Sequence, residues 1–193
     1  PHLFLTVAKK SRLYSTLTKI MIEKSCRYFE YINSDFSINL SVDDILNKDI
    51  VDYIKQKIKK YNVADKIVFE ILESEGIENY EEISLFINEM KKLGCRIAID
   101  DFGSGYSNFE HLLKLNIDYI KIDGSLIKNL NKNASAQITV EIIVDFAKRL
   151  NIITVAEFVH SKEVLEKVKE LHVGRTQGFF LAEPQQNISL EGR

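Results

Sequence analysis

Six apolar segments of strand length alternate with helical segments along this chain, and that alternation restricts the fold more than any other feature. The predicted strands are residues 36–41, 67–72, 96–101, 117–123, 152–157 and 176–181. The predicted helices are residues 15–29, 42–61 with a break near Lys48, 82–93, 108–115, 134–150 and 161–171. Because the strands are apolar nearly throughout, we expect a parallel sheet covered by helices on both faces. An open doubly wound sheet and a closed barrel of eight strand–helix units both fit this α/β pattern.

Four of the helices carry specific local predictions. Ser15 or Thr16 can cap the first helix, and Ser161 can cap the last. Gly94 is placed to end the 82–93 helix in the left-handed conformation. The apolar stripe of that helix is predicted to contain Ile83, Phe86, Ile87, Met90 and Leu93, and that of the 134–150 helix Ile138, Ile142, Val144, Phe146 and Leu150.

The size and charge of the chain restrict its class. With 193 residues and 45% apolar residues, residues 1–193 are predicted to form a single domain with a packed core. A net charge of −2 favours neither DNA or RNA nor an anionic membrane surface as a partner. Cys26 and Cys95 lie in apolar periodic segments, so we interpret them as reduced core residues and expect a cytoplasmic protein. No apolar run in the sequence approaches membrane-spanning length.

Residues 97–107 combine an apolar strand with two adjacent carboxylates and a glycine-containing loop. Neighbouring side chains on a strand point to opposite faces, so Asp100 and Asp101 can converge only where the backbone turns. Gly103 and Gly105 permit such a turn. Two acids at the tip of a strand suit a divalent cation, which prefers oxygen ligands. An Asp-Gly turn closed by hydrogen bonds of the Asp side chain is an equally good interpretation of this stretch alone.

Polar residues recur at or near the end of every predicted strand. They are Asn39, Glu70, Asp100, Asp101, Lys121, Glu157 and Gln177. In a parallel barrel the carboxyl ends of all strands meet on one rim, where these groups would form a single acidic cluster. Oxygen-only ligands favour Mg²⁺, Mn²⁺ or Ca²⁺, and a buried lysine needs the anionic partner that the cluster offers. The alternatives are local: a backbone hydrogen bond of Asn39, a salt bridge between Glu70 and Lys121, and a helix cap at Glu157.

Several of these segments together resemble the EAL domains, bacterial phosphodiesterases that cleave cyclic di-GMP. The stretch from Asp100 to Ser107, Asp-Asp-Phe-Gly-Ser-Gly-Tyr-Ser, is similar to the signature loop of the family. The segments 38–41, 69–74, 119–123, 155–157 and 177–179 match the family's Asn, Glu, Lys, Ala-Glu and Gln-Gly strands in the same order. The resemblance therefore extends along the whole chain.

The resemblance implies a modified TIM barrel and a function for each matching residue. It implies that Asn39, Glu70, Asp100 and Asp101 bind Mg²⁺ or Mn²⁺, with two cations in the complete domain. It also implies that Lys121 and Glu157 flank the attacking water. The remaining implied site residues, which contact substrate or support the signature loop, are Glu73, Gly103, Ser104 and Gln177. The implied reaction is hydrolysis of one phosphodiester bond of cyclic di-GMP to give linear pGpG.

The chain departs from the family pattern in several places. It contains no Glu-Ala-Leu sequence, whose Glu is a metal ligand in the family, and it has six predicted strands where a barrel has eight. We therefore expect an EAL-type barrel of about six strand–helix units that lacks its first strands. Leu72 stands where the family usually has Thr, and Gly174 where Asp is common. Phe158 and His160 replace the Gly and Glu of the family's Glu-Gly-Val-Glu stretch.

Two functional hypotheses follow. The first is a metal-dependent cyclic di-GMP phosphodiesterase of bacterial signalling, of which this chain is the greater part and which is inactive as this chain alone. The alternative is a catalytically inactive EAL-like domain that binds cyclic di-GMP or a protein partner. We also expect a homodimer or oligomer, because strands without neighbours recruit others. A sensor or cyclase domain upstream is compatible with either hypothesis, and no membrane contact is expected.

Overall fold

The structure is a computed structural model that describes residues 13–75, 79–104 and 109–185. The described strands are β1 (Phe36–Leu40), β2 (Ile67–Leu72), β3 (Arg96–Phe102), β4 (Tyr119–Ile122), β5 (Ile153–Ala156) and β6 (Arg175–Thr176). The described α-helices are α1 (Tyr14–Phe29), α2 (Val42–Leu46), α3 (Lys48–Tyr61), α4 (Tyr80–Lys92), α5 (Phe109–Lys114), α6 (Gly124–Ile127), α7 (Ala134–Arg149) and α8 (Lys162–Glu170). The predicted alternation of six strands with helices is therefore confirmed.

The chain divides into two compact units. The first unit contains the described residues of 1–99 and 108–118, and the second contains those of 100–107 and 119–193. Strand β3 begins in the first unit and ends in the second, with the division between Ile99 and Asp100. Each strand pairing described inside one unit is parallel.

The first unit is built on the parallel pair β1–β2, in which Ile38 lies beside Phe69 and Asn39 beside Glu70. Every residue of β2 before Leu72 is buried, as expected for a strand covered on both faces. Helix α4 buries Ile83, Phe86, Ile87 and Met90, and the ring of Phe86 meets Phe69 edge to face. These contacts make the apolar faces of α4 and β2 one core, which the period of α4 predicts.

A buried polar cluster fastens α1 to α2. The side chains of Ser41 and Asp44 cap the start of α2 reciprocally, in a capping box. The hydroxyl of Thr18 on α1 donates to Oδ1 of the same Asp44 at 3.0 Å. Asp44 thereby satisfies donors from two elements while only 2% exposed.

The second unit is built on the parallel strands β4, β5 and β6. Tyr119 pairs with Ile153 and Ile122 with Ala156, while Ala156 also pairs with Thr176 on its other side. Strand β4 is buried along its whole length. This burial includes the charged Lys121, so the strand brings one cation into the interior of the unit.

Several local predictions are confirmed. Asn47 separates α2 from α3, which is the break expected near Lys48. Ser161 caps α8 through the N–H of Val164 at 3.3 Å. Gly94 follows α4 with a φ of +96°, in the left-handed region.

Other local predictions are wrong for identifiable reasons. Helix α1 is preceded by Leu13 and has no side-chain cap, so neither Ser15 nor Thr16 has that function. Strand β6 ends at Thr176, because the carbonyl of Gly178 accepts the N–H groups of Leu181 and Ala182 and closes a turn.

The predicted stripe of α7 is also partly wrong. Ile138 and Ile142 are 58% and 54% exposed. Helix α7 turns a different face to the core, made of Ala136, Val140, Ile143, Val144 and Ala147. In the α4 stripe, Leu93 follows the last helical residue and is 44% exposed.

Both cysteines are buried free thiols, as predicted. Burial raises the pKa of Cys26 to about 11 and that of Cys95 to about 12. Neither thiol is therefore a reactive thiolate near neutral pH. Within the described ranges, no helix is both long enough and apolar enough to cross a membrane.

Glu23 of α1 is the centre of a charged cluster with α3. Its carboxylate contacts the ammonium group of Lys57 and the hydroxyl of Tyr61, and Lys60 lies 3.6 Å away. The hydrogen bond from Lys57, followed by that from Tyr61, lowers the pKa of Glu23 to about 2. A carboxyl with a lowered pKa stabilises the folded state at pH values above its ordinary pKa of 4.5. This stabilisation is lost as the pH falls toward 2.

We therefore expect Glu23→Gln to lower the free energy of unfolding at pH 7 and to reduce the loss of stability between pH 5 and pH 2. Urea unfolding followed by circular dichroism at several pH values measures both effects. The control is Glu166→Gln, which removes an exposed carboxylate 3.8 Å from Lys162 and should follow the wild type. Equal pH dependence of Glu23→Gln and wild type would contradict the assignment.

Candidate functional site

The two adjacent acids lie at the end of β3, where the backbone turns. Asp101 has a φ of +55°, which interrupts the alternation of the strand and lets its side chain approach that of Asp100. Aspartate tolerates this left-handed conformation better than most residues do. Gly103 continues the turn with a φ of +92°, and the N–H of Ser104 donates to the Asp101 carbonyl at 3.3 Å. Gly105, the second predicted turn glycine, lies outside the described residues.

Lys121 of β4 is the buried cation of the site and is 6% exposed. Its Nζ atom lies 2.9 Å from Oδ1 of Asp100 and 2.9 Å from Oε1 of Glu157. A lysine ammonium is tolerated in the interior only with such partners. Lys121 therefore neutralises part of the negative charge that three neighbouring carboxylates would otherwise concentrate.

Glu157 follows β5 directly, and its N–H donates to the Ile122 carbonyl of β4 at 3.3 Å. Its Oε1 atom also accepts a hydrogen bond from Nε2 of Gln177 at 3.0 Å. Burial raises the pKa of Glu157, and the hydrogen bond from Lys121 opposes that shift. Helix α8 starts five residues later with Ser161 as its cap, so Glu157 is not the helix cap considered from the sequence.

Asp100, Asp101 and Glu157 form a cluster that could hold a metal ion. Each offers one carboxylate oxygen, and these oxygens all lie within 4.8 Å of one another. Burial, and then the negative charges of Asp100 and Asp123, raise the pKa of Asp101. Oxygen ligands of this kind suit a hard divalent cation, which would relieve the same repulsion. The donor chemistry of the cluster therefore fits Mg²⁺ or Mn²⁺, the cations that the resemblance implies.

Three other predicted site residues belong to the first unit. Asn39 and Glu70 are direct neighbours across β1 and β2, the former exposed and the latter 8% exposed. Glu73 lies in the 3-10 turn Glu73–Glu75, which follows β2. The structure thus brings Asn39 and Glu70 together. Their participation in one site with Asp100 stays a prediction.

A cavity of about 630 Å³ in the second unit adjoins the acidic cluster. Its lining includes Asp101, Glu157 and Gln177 of the predicted set. It also includes residues that we did not assign to the site from the sequence, among them Asp123, Phe158, His160 and Phe179. A volume of this size is typical of small-molecule sites.

Asp123 has a structural function that the sequence signals. It follows β4, precedes Gly124 and accepts hydrogen bonds from the N–H and hydroxyl of Ser125, the second residue of α6. An Asp-Gly pair after an apolar strand is a recognisable turn and cap signal. That signal, applied at Asp123, could have identified α6 and placed this carboxylate at the site.

The chain is similar to known proteins along nearly its whole length. The EAL domain family matches residues 1–184. The chain is 32% identical over 192 residues to the cyclic di-GMP phosphodiesterase PdeB of Shewanella oneidensis, covering 96% of this chain and 22% of PdeB. It is also 32% identical over 191 residues to the cyclic di-GMP phosphodiesterase PdeF of Escherichia coli, covering 96% of this chain and 26% of PdeF. The chain thus spans about a quarter of the length of these curated relatives.

Among solved structures, the chain is similar to that of the PaMucR phosphodiesterase in complex with c-di-GMP. The TM-score is 0.89 with 26% sequence identity, and the match covers 96% of this chain and 78% of that one. The similarity confirms an α/β fold of the TIM-barrel type found in EAL domains.

Proposed function

The chain belongs to the EAL domain family, and on that basis we propose that it forms the greater part of a cyclic di-GMP phosphodiesterase domain. The reaction is hydrolysis to linear pGpG in bacterial second-messenger signalling. The observation that carries the proposal is the contact of Lys121 with both Asp100 and Glu157 beside Asp101. The relatives PdeB and PdeF, whose names state this activity, support it.

Asp100 and Asp101 would hold a divalent cation, Mg²⁺ or Mn²⁺, at the end of β3, with the carboxylate of Glu157 beside it. Asn39 and Glu70, which are neighbours in the first unit, would supply further oxygen ligands together with Asp100. This larger set would allow two cations in the complete domain. When bound, such cations polarise phosphoryl oxygens and lower the pKa of a bound water.

The protein groups position the reactants and handle the proton. In hydrolysis the water oxygen bonds to phosphorus, one phosphorus–oxygen ester bond breaks, and the leaving oxygen takes up a proton. Glu157, whose pKa is raised by burial, is suited to accept the proton of the water at a carboxylate oxygen. Lys121 holds Glu157 and Asp100 in place, and Gln177 donates a hydrogen bond to the same Oε1 atom of Glu157.

The proposal is tested by turnover of cyclic di-GMP with Mn²⁺, using the protein expressed from its full reading frame and separating products by chromatography. We expect pGpG as the product and a loss of roughly 100-fold or more in kcat for Asp101→Asn, because metal activation contributes several kcal/mol. The control is Asp145→Asn, which changes an exposed carboxylate of α7 and should leave kcat unchanged.

Two other outcomes would change the conclusion. Tight binding of cyclic di-GMP without turnover would favour a binding domain, an alternative motivated by the absence of Glu-Ala-Leu from the sequence. Equal turnover by Asp101→Asn and wild type would contradict the assignment of Asp101 as a metal ligand.

A further inference from the structure

We infer that Phe158, supported by His160, stacks on a purine base of the substrate and contributes to its specificity. This inference rests on the proposed function. It concerns a residue that departs from the family pattern, which has Gly at this position.

Phe158 has a conformation that folding alone does not favour. Its φ is +56°, in the left-handed region, where a bulky residue is strained. Its side chain is also 53% exposed, so burial of the ring offsets little of that strain. Strained residues of this kind persist where the surrounding structure fixes them, and they concentrate at ligand sites.

The neighbours of Phe158 hold this conformation from both sides. The N–H of Glu157 donates to the Ile122 carbonyl, and Val159 exchanges hydrogen bonds with the chain after β6. In those bonds the Val159 N–H donates to the Gln177 carbonyl at 3.1 Å, and the Val159 carbonyl accepts from the Phe180 N–H at 3.1 Å. The backbone of Phe158 is therefore fixed by strands β4 and β5 and by the turn after β6.

The ring of Phe158 is restricted as well. It lies 5.5 Å from the ring of His160, centroid to centroid, with the planes tilted by 47°. Gly124 provides the space beneath it, since a Cβ atom there would lie 3.0 Å from the Cβ of Phe158. Phe158 therefore presents a supported aromatic surface rather than a freely rotating side chain.

The cavity has two chemically different walls. Asp101, Asp123 and Glu157 line it with carboxylates, while Phe158, Phe179 and His160 line it with aromatic rings. A ligand that fits both walls carries phosphate, bound through a cation at the acids, and a flat aromatic part at the rings. A purine nucleotide has both parts. Stacking on an aromatic side chain uses the face of the base, so it does not require hydrogen bonds to the edge of the base.

The test compares Phe158→Leu, which keeps an apolar side chain but removes the ring, with the control Tyr31→Leu. Tyr31 is an 89% exposed aromatic residue of the first unit and is not among the residues that line the cavity. Binding of cyclic di-GMP is measured by calorimetry with Ca²⁺, a larger cation chosen to slow turnover, on the protein expressed from its full reading frame. We expect Phe158→Leu to raise Kd by about 5- to 150-fold and Tyr31→Leu to change it less than twofold.

A second variant, Phe158→Gly, separates binding from folding. Glycine accepts the positive φ without strain, so this variant should unfold at an equal or higher urea concentration than wild type while binding as weakly as Phe158→Leu. In steady-state kinetics both variants should raise KM more than they lower kcat.

The inference and the proposed function fail in different ways. If wild type binds and hydrolyses cyclic di-GMP and Phe158→Leu binds equally well, the stacking inference is wrong and the proposed function stands. If Phe158→Gly is markedly less stable than wild type, Phe158 is a packing residue and the inference is wrong. If wild type neither binds nor hydrolyses cyclic di-GMP, the proposed function fails and the inference with it.

Discussion

Replacing Lys121 with methionine should lower kcat for cyclic di-GMP by roughly 100-fold or more, since loss of one preorganised electrostatic group at a site costs about that much. Methionine keeps the length and the apolar stem of lysine but removes the charge that contacts Asp100 and Glu157. The change should also lower the free energy of unfolding by about 3 kcal/mol in EDTA. This is the low end for breaking a buried ion pair, because both carboxylates keep some contact with solvent.

Lys121→Met should also change how strongly a divalent cation stabilises the protein, which would not happen if Lys121 were a merely structural residue. Without Lys121, the carboxylates of Asp100 and Glu157 have lost their protein cation, so a divalent cation should stabilise the variant more than it stabilises wild type. Thermal unfolding in EDTA and in Mn²⁺ measures this difference. The control is Lys114→Met, which breaks a solvent-exposed pair with Glu110 and should leave both kcat and the effect of Mn²⁺ unchanged. Equal stabilisation of Lys121→Met and wild type by Mn²⁺ would contradict the account.

Gly178→Ala should destabilise the protein by about 3 kcal/mol and weaken binding of cyclic di-GMP. A Cβ atom at this position would lie 2.2 Å from the carbonyl oxygen and 2.4 Å from the nitrogen of Val159, and backbone atoms cannot rotate away as a side chain can. Its φ of +155° adds strain for any residue with a side chain. The displaced segment carries Gln177, which donates to Glu157, so the effect reaches the acidic cluster.

Urea unfolding and calorimetric binding measure the two effects of Gly178→Ala. The matched control is Gly94→Ala, which also has a positive φ, +96°, but whose added Cβ would lie 3.9 Å from the nearest atom, the Cβ of Ala64. That control should cost only the backbone strain, about 1 kcal/mol, and should leave binding unchanged. Equal stability losses in the two variants would show that the contact with Val159 does not matter.

The positions of the strands could be predicted from the sequence because apolar runs of strand length are distinctive and end in polar residues. The acid pair Asp100 and Asp101 was identifiable for the same reason, together with the need for a turn. The face that α7 buries could not be predicted, since apolar residues surround much of that helix and Ile138 fits a helical stripe as well as Val140 does. The end of β6 depended on a turn at Gly178 that the apolar run after it conceals.

The aromatic wall of the cavity could not be predicted from the sequence, for a different reason. Phenylalanine rarely adopts a positive φ, so nothing in the residue type at position 158 indicates its conformation. Its departure from the family pattern was visible, but the cavity and the support from His160 appear only in three dimensions. The acids Asp100, Asp101 and Glu157, by contrast, could be selected from residue type and strand position, whereas Asp123 was missed.

The two buried cysteines have a practical consequence for optical studies of this protein. Cys26 is fully buried and Cys95 only 2% exposed, and the chain has no other cysteine. Maleimide reagents attack thiolates, so a single cysteine introduced on the exposed face of α7, at Ile138 or Ile142, would be labelled in preference to both native thiols. A fluorophore can therefore be attached at one introduced cysteine while Cys26 and Cys95 stay in place in the core.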